Sequence, residues 1–257
     1  MGKGLRIMRT APIGGYSKSR EFYRECWKGR TKLVLDERCR RSFFLSALRR
    51  IRSATHRPLR IIDVGCGYGW LTKELSRFGS TLGIDIYVDE ARTRYRDLDF
   101  IEGDIISTEL DEKFDVVVAS EVIEHLQPED QRKFFPKCAN LLFDNGWLLL
   151  TTPCEPVASD LFRALHLENQ LQVIENWLDP KTLLELVQES FDVKFHGSVM
   201  FYPVIFRKHR VLRFLYEIPY EHGRMYRIVD RLLGLTGMRD LGLYQTLIAA
   251  KALHRTA

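Results

Sequence analysis

From residue 60 onward the chain alternates short apolar runs with longer segments whose apolar positions recur every three or four residues. That is the pattern of parallel strands joined by crossover helices. The runs RIIDV, STLGIDI, LDFIEGDI, FDVVVAS and GWLLLTTP predict five strands, and FDVKFHGSVM and LYQTLIAAKAL bring the total to seven. After the first strand, WLTKELSRF places Leu71, Leu75 and Phe78 on one face, as a helix lying on a sheet requires. PEDQRKFFPKCANLLFDNG predicts a helix from near Pro128 to Gly146, and Pro136 inside it is expected to kink or divide it because proline cannot donate to the helical ladder. Asp179 and Pro180 read as the N-cap and first residue of a further helix.

The stretch from about residue 200 to 240 is far longer than the ~4–6 residues of an ordinary connection, and a helical insertion before the last strand is expected there. The N-terminal segment 1–58 reads as mostly helical. Its clearest piece is LDERCRRSFFLSALRRI, with Leu35, Phe43, Phe44, Leu45, Leu48 and Ile51 as the buried stripe. The expected organisation is therefore a helical segment over 1–58 and one α/β domain over 59–257.

Composition changes this picture little: 257 residues with 45% apolar content suffice for a full core. No apolar run reaches the ~18 residues of a membrane-spanning helix, and the first residues lack the apolar stretch of a signal peptide. A soluble, cytoplasmic protein is expected. Cys26, Cys39, Cys66, Cys138 and Cys154 form no C-x-x-C pair, so reduced thiols are expected. Charge is more informative. The net +5 divides into 16 Lys/Arg against 4 Asp/Glu over residues 1–58, 13 against 26 over 59–195, and 10 against 4 over 196–257. Basic flanks around an acidic middle either meet anionic partners, such as lipid headgroups, phosphorylated substrates or nucleic acid, or simply offset the acidic core.

The candidate chemistry begins at IIDVGCGYGW, residues 61–70. Glycines at 65, 67 and 69 let the backbone turn sharply after the strand and approach a ligand, with the next helix's first N–H groups facing something polar. A dinucleotide fingerprint G-x-G-x-x-G would need a third glycine where Trp70 stands. Twenty residues past Gly65, Asp85 ends the second strand, where an acid can bind the two hydroxyls of a ribose. Asp104 ends the third strand, close to where an adenine would lie.

The D-x-G-x-G-x-G turn, the acid ending the second strand, the G-D at the third and EVIEH after the fourth together resemble class I S-adenosylmethionine-dependent methyltransferases. The similarity covers about residues 59–195. FDVVVASEVIEHL followed by Pro128 is most similar to the branch of ubiquinone-biosynthesis O-methyltransferases and small-molecule methyltransferases. The resemblance implies a Rossmann-like seven-stranded α/β sheet with helices on both faces and an antiparallel last strand. It implies S-adenosyl-L-methionine as cofactor, with Asp63, Gly65 and Gly67 along the methionine moiety and Cys66 and Tyr68 forming the turn. Asp85 would take the ribose hydroxyls, Ile86 would line the adenine, and Asp104 would accept from the adenine amino group beside Ile105. Ser120 and Glu121 would face the sulfonium end. Cys66 reads as a small filler, since nothing marks it as an activated thiolate.

His125 is the leading candidate for the base that takes a proton from the acceptor; the alternative is a helix-start histidine bonded to a carboxylate. Glu121, Glu124 and His125, joined by His166, match a metal-binding pattern of small-RNA 3′-end methyltransferases, although E-x-x-E-H is widespread without metal and no metal is assigned. The expected acceptor is a small molecule or a lipid-linked one, methylated at oxygen. An RNA methyltransferase and a non-catalytic methyltransferase-like binding protein are the alternatives. Within the insertion, Arg207, Lys208, Arg210 and Arg213 interleave with Val211, Leu212, Phe214 and Leu215, the composition of a basic amphipathic helix that can contact an anionic membrane.

Overall fold

The structure is a computed structural model, and it describes residues 7–9, 17–29, 35–165, 172–200 and 242–252. The insertion around 201–241, with Arg207, Lys208, Arg210 and Arg213, and His166 lie outside the described residues.

All seven expected strands are present, as β1 (Leu59–Val64), β2 (Gly79–Asp85), β3 (Asp99–Glu102), β4 (Phe114–Ser120), β5 (Leu142–Pro153), β6 (Phe191–Val199) and β7 (Tyr244–Lys251). They form one sheet in the order β3-β2-β1-β4-β5-β7-β6. The pairs from β3 through β5 are parallel, and β7 runs antiparallel to both β5 and β6. The order reverses beside β1, so the C-terminal ends of β1 and β4 flank a crevice, the usual ligand position in open α/β sheets.

Helices cover both faces: α1 (Ser17–Trp27), α2 (Leu35–Thr55), α3 (Trp70–Leu75), α4 (Asp89–Arg94), α5 (Pro128–Leu141), α6 (Val157–Leu165) and α7 (Pro180–Gln188). The period-two alternation of the strands sorts the core into two layers. Ile61, Val116, Val118 and Leu149 pack with Phe44, Leu45, Leu48 and Ile51 of α2 and Leu71 and Leu75 of α3. Their neighbours Ile62, Val117, Ala119, Leu148 and Leu150 point the other way, onto Phe134, Phe135 and Cys138 of α5 and Leu183 and Val187 of α7. Each fully buried side chain of this kind contributes roughly 1.5–3 kcal/mol. Phe43 is only partly buried at the edge of the first layer, and the side chain of Leu35 is outside the described set.

Three expectations need correction. Pro136 does not divide α5, which runs unbroken through it; Pro136 is exposed, so its ring lies on the solvent side of the helix. The helix ends at Leu141 rather than Gly146, because the buried Leu142 leaves it to pair with Phe114 of β4. The third strand stops at Glu102, and Asp104 lies in the turn beyond it. The N-terminal segment carries the helices α1 and α2, and Ile7–Arg9 adds a small antiparallel ribbon with Glu109–Leu110.

Candidate active site

The glycine turn is shaped by contacts that no side chain could share. Gly65 N and Cys66 N both donate to the carbonyl of Ile84 at the end of β2. Gly65 has φ +68°, and a Cβ there would stand 2.3 Å from a methyl of Val122. Gly67 has φ +52°, and a Cβ would press to 3.3 Å from the indole of Trp27. These positive φ values favour glycine, and the missing side chains let β4's exit loop and α1 close over the turn.

Around the turn lies a cavity of about 300 Å³. Every site residue expected from the sequence lines it: Asp63, Gly65, Cys66, Gly67, Asp85, Ile86, Asp104, Ile105, Ser120, Glu121 and His125. Asp85 accepts the N–H of Gly67 on Oδ2 at 2.9 Å and that of Tyr87 on Oδ1 at 3.0 Å. The lone pairs that remain on the carboxylate are the capacity a diol would use. Burial raises the Asp85 pKa to about 6, with the backbone N–H bonds opposing the shift. Asp63, 1% exposed, accepts from the Thr72 hydroxyl at 2.6 Å, and burial raises its pKa to about 7. Asp104 is engaged by its own turn, accepting from Ile106 N at 3.0 Å and from the Ser107 hydroxyl at 2.8 Å. Cys66 is buried, and burial pushes its thiol well above the ordinary range, so it stays protonated and fills space.

At the end of β4, Ser120 accepts from Arg40 Nη1 at 2.9 Å, and Glu121 takes a left-handed φ of +58° with its carboxylate 3.9 Å from the same guanidinium. A non-glycine residue in this region is strained and held by its surroundings. The next turn, Ile123–His125, is a single 3₁₀ turn. His125 Nδ1 lies 2.9 Å from the carbonyl of Ile174. A carbonyl only accepts, so Nδ1 donates and Nε2 carries the lone pair. Burial lowers the His125 pKa, opposed by the nearby Glu175, which favours a neutral ring. Glu124 and Glu175 approach the two ring nitrogens at 3.8 and 3.9 Å, so the carboxylate contact of the structural alternative is present too. Glu124, 1% exposed, accepts from the Thr152 hydroxyl on Oε2 at 2.9 Å. Its Oε1 has no hydrogen-bond partner among the described residues, and burial raises its pKa. Among the described residues no group of three His, Cys, Asp or Glu is arranged to hold a metal ion.

Several lining residues escaped the sequence reading. Ser19, Tyr23 and Trp27 of α1 face the cavity; their i, i+4, i+8 spacing is the one signal that marks a common face. Trp27 stacks on Tyr23 and packs against Tyr68, while Arg20 reaches Glu102 at 2.7 Å. From α2 come Arg40 and Glu37, the latter accepting from the Tyr68 hydroxyl at 3.0 Å. The 172–178 strap adds Gln172, which accepts from the Tyr23 hydroxyl, together with Glu175 and Trp177. Tyr244 enters from β7, with the Arg40 guanidinium 5.2 Å over its ring.

Comparison with known proteins places this geometry. Human mitochondrial ubiquinone biosynthesis O-methyltransferase is 31% identical over 152 residues, covering 51% of this chain and 41% of that protein. The bovine counterpart is 39% identical over 124 residues, covering 38% and 31%. The chain thus spans well under half the length of these curated relatives. Among solved structures, the N-methyltransferase NodS from Bradyrhizobium japonicum WM9, in complex with S-adenosyl-L-homocysteine, superposes with a TM-score of 0.58 at 14% identity, covering 92% of this chain and all of that one. Magnesium protoporphyrin IX methyltransferase from Synechocystis PCC 6803 gives 0.54 at 16% identity, covering 93% of this chain and 98% of that one. At these identities the likeness concerns the fold, the Rossmann-like sheet of class I methyltransferases. A family described as a methyltransferase domain matches residues 36–190, more than half of the chain, and the chain belongs to that family.

Proposed function

We propose that this chain is an S-adenosylmethionine-dependent methyltransferase that methylates a hydroxyl of a small-molecule acceptor. The observation that carries the reading is convergence: the Asp63–Gly69 turn and the acids Asp85 and Asp104 open on the same cavity as His125 and Glu124. The residues fit the cofactor on their own terms. The glycine turn lines the cavity with main chain alone at Gly65 and Gly67, Asp85 retains lone pairs for a diol, and the buried acids Asp63 and Glu124 suit a cationic ligand that restores their ionised forms.

Bound there, the cofactor supplies a methyl group on a positively charged sulfur, a good electrophile, so holding the acceptor in line supplies much of the rate. Asp85 would fix the ribose and Asp104 the adenine edge. His125 Nε2 would take the hydroxyl proton as the oxygen–carbon bond forms and the carbon–sulfur bond breaks, its electron pair leaving with S-adenosylhomocysteine, with the Ile174 carbonyl holding Nδ1–H and Glu175 favouring the imidazolium. The names of the curated relatives, O-methyltransferases of ubiquinone biosynthesis, support oxygen as the methylated atom. A lipid-linked acceptor and contact with an anionic membrane are carried as part of this proposal, the latter resting on Arg207, Lys208, Arg210 and Arg213. Vesicle flotation of the whole chain tests it, and binding must weaken with salt.

Calorimetry with S-adenosylhomocysteine, followed by turnover of methyl-labelled S-adenosylmethionine against phenolic probes including 3,4-dihydroxybenzoate, tests the function. Binding of the first and label transfer to a ring hydroxyl are expected. Tight NAD binding with no response to S-adenosylhomocysteine would overturn the reading.

A further inference from the structure

The turn that carries His125 is tied to the 172–178 strap by three direct hydrogen bonds and a two-bond bridge through Gln131. Asn176 N donates to the Glu124 carbonyl at 2.7 Å, and its side-chain Nδ2 donates to the Leu126 carbonyl at 2.9 Å. Gln131 of α5, 4% exposed, donates from Nε2 to the carbonyls of Ile123 and Asn176, each at 2.9 Å. The third direct bond is the one between His125 Nδ1 and the Ile174 carbonyl.

We infer that Asn176 and Gln131 are positioning residues for His125, fastening strap to turn so that the Ile174 carbonyl takes the Nδ1 proton and the Nε2 lone pair is left to the cavity. The inference rests on the reading of His125 as the base. Its warrant is the use to which the two amides are put. The buried donor of Gln131 bridges main-chain carbonyls of two segments about fifty residues apart, and Asn176 closes the same joint from the other side. A packing role alone would be met by an apolar side chain, without the penalty of burying an amide that must find partners. The charged and titratable neighbours do not select a tautomer by themselves, since Glu124, Glu175, Tyr23 and Asp85 surround the ring from four elements. The directional carbonyl does, and it reaches Nδ1 only while the strap is docked.

Two-bond nitrogen–proton spectra of the ligand-free protein read the tautomer directly, and turnover of 3,4-dihydroxybenzoate reads its consequence. Wild-type His125 should carry its proton on Nδ1 alone. Asn176→Ala and Gln131→Leu should mix the tautomers and lower kcat about tenfold or more, within the ~10²–10⁴-fold that a general base contributes, with KM changed less. A wild-type ring protonated on Nε2 overturns the inference without any variant, so a variant that fails to fold does not shield it. Folded variants that keep the Nδ1–H tautomer, or that turn over normally while His125→Gln is inactive, also overturn it. Wild-type turnover by His125→Gln would instead overturn the base reading, and the tautomer spectra then judge the joint by itself.

Discussion

The Asp85 carboxylate accepts the backbone N–H of Gly67 at 2.9 Å, so the acid at the end of β2 holds the glycine turn that follows β1. One residue thereby shapes the turn and presents its remaining lone pairs to the cavity. Asp85→Ala should weaken S-adenosylhomocysteine binding by about 1.5–3 kcal/mol, the worth of a charge-assisted hydrogen bond. Asp85→Asn, which keeps one acceptor oxygen, should lose less. Calorimetry on both variants checks the order.

Gly65→Ala should destabilise the protein by about 1–3 kcal/mol, because the new methyl meets Val122 at 2.3 Å in a left-handed backbone. Truncating the obstacle in the double variant with Val122→Ala should recover part of the loss, leaving the share due to φ. Denaturant melts of the two single variants and the double variant give the coupling directly.

If His125 is the proposed base, His125→Ala should lower turnover by ~10²–10⁴-fold while S-adenosylhomocysteine affinity stays within about twofold, since a base there would serve the proton and not the cofactor. Unchanged turnover with a lowered melting temperature would return His125 to a structural role.

The pH dependence has a definite sign. Asp63 and Asp85 have native pKa values raised to about 7 and about 6 by burial, above the ~3.9 of an unfolded Asp. The folded chain therefore binds their protons more tightly than the unfolded one. The stability they contribute is full below about pH 4 and is lost as pH rises through 6 and 7, at up to about 1.4 kcal/mol per pH unit for each group. The ligand-free protein should melt at lower temperature at pH 8 than at pH 5, and Asp63→Asn should flatten the trend. A cationic cofactor prefers the ionised acids, so the rise in melting temperature on adding S-adenosylmethionine should be larger at pH 8.

The residues that were legible in the sequence owe their structure to local rules. Asp63 to Gly69 is a strand exit followed by positive-φ positions, and the strands announce themselves by apolar runs and alternation. The antiparallel last strand came with the resemblance that those motifs carry, whereas the strand order had to be seen in the structure. The expected third strand runs on to Asp104, past its observed end at Glu102, because apolar Ile105 extends the β pattern beyond the point where Ile106 N and Ser107 turn back on the Asp104 carboxylate. Asn176, Gln131 and Gln172 left no trace, since their roles are hydrogen bonds to carbonyls and hydroxyls dozens of residues away. A polar residue in an irregular strap looks like any solvated loop until the turn it grips is in view.

Tyr23 and Trp27 sit on a helix that precedes the matched family region, and Tyr244 sits on a strand that follows it, whereas Asp63, Asp85 and Asp104 all fall inside it. The two ends of the chain therefore add aromatic side chains to those of Tyr68 and Trp177, while the middle furnishes these acids. Changes at these flanking positions would reshape the cavity from its margins, and at Trp27, which packs on Tyr68, the glycine turn would feel them as well.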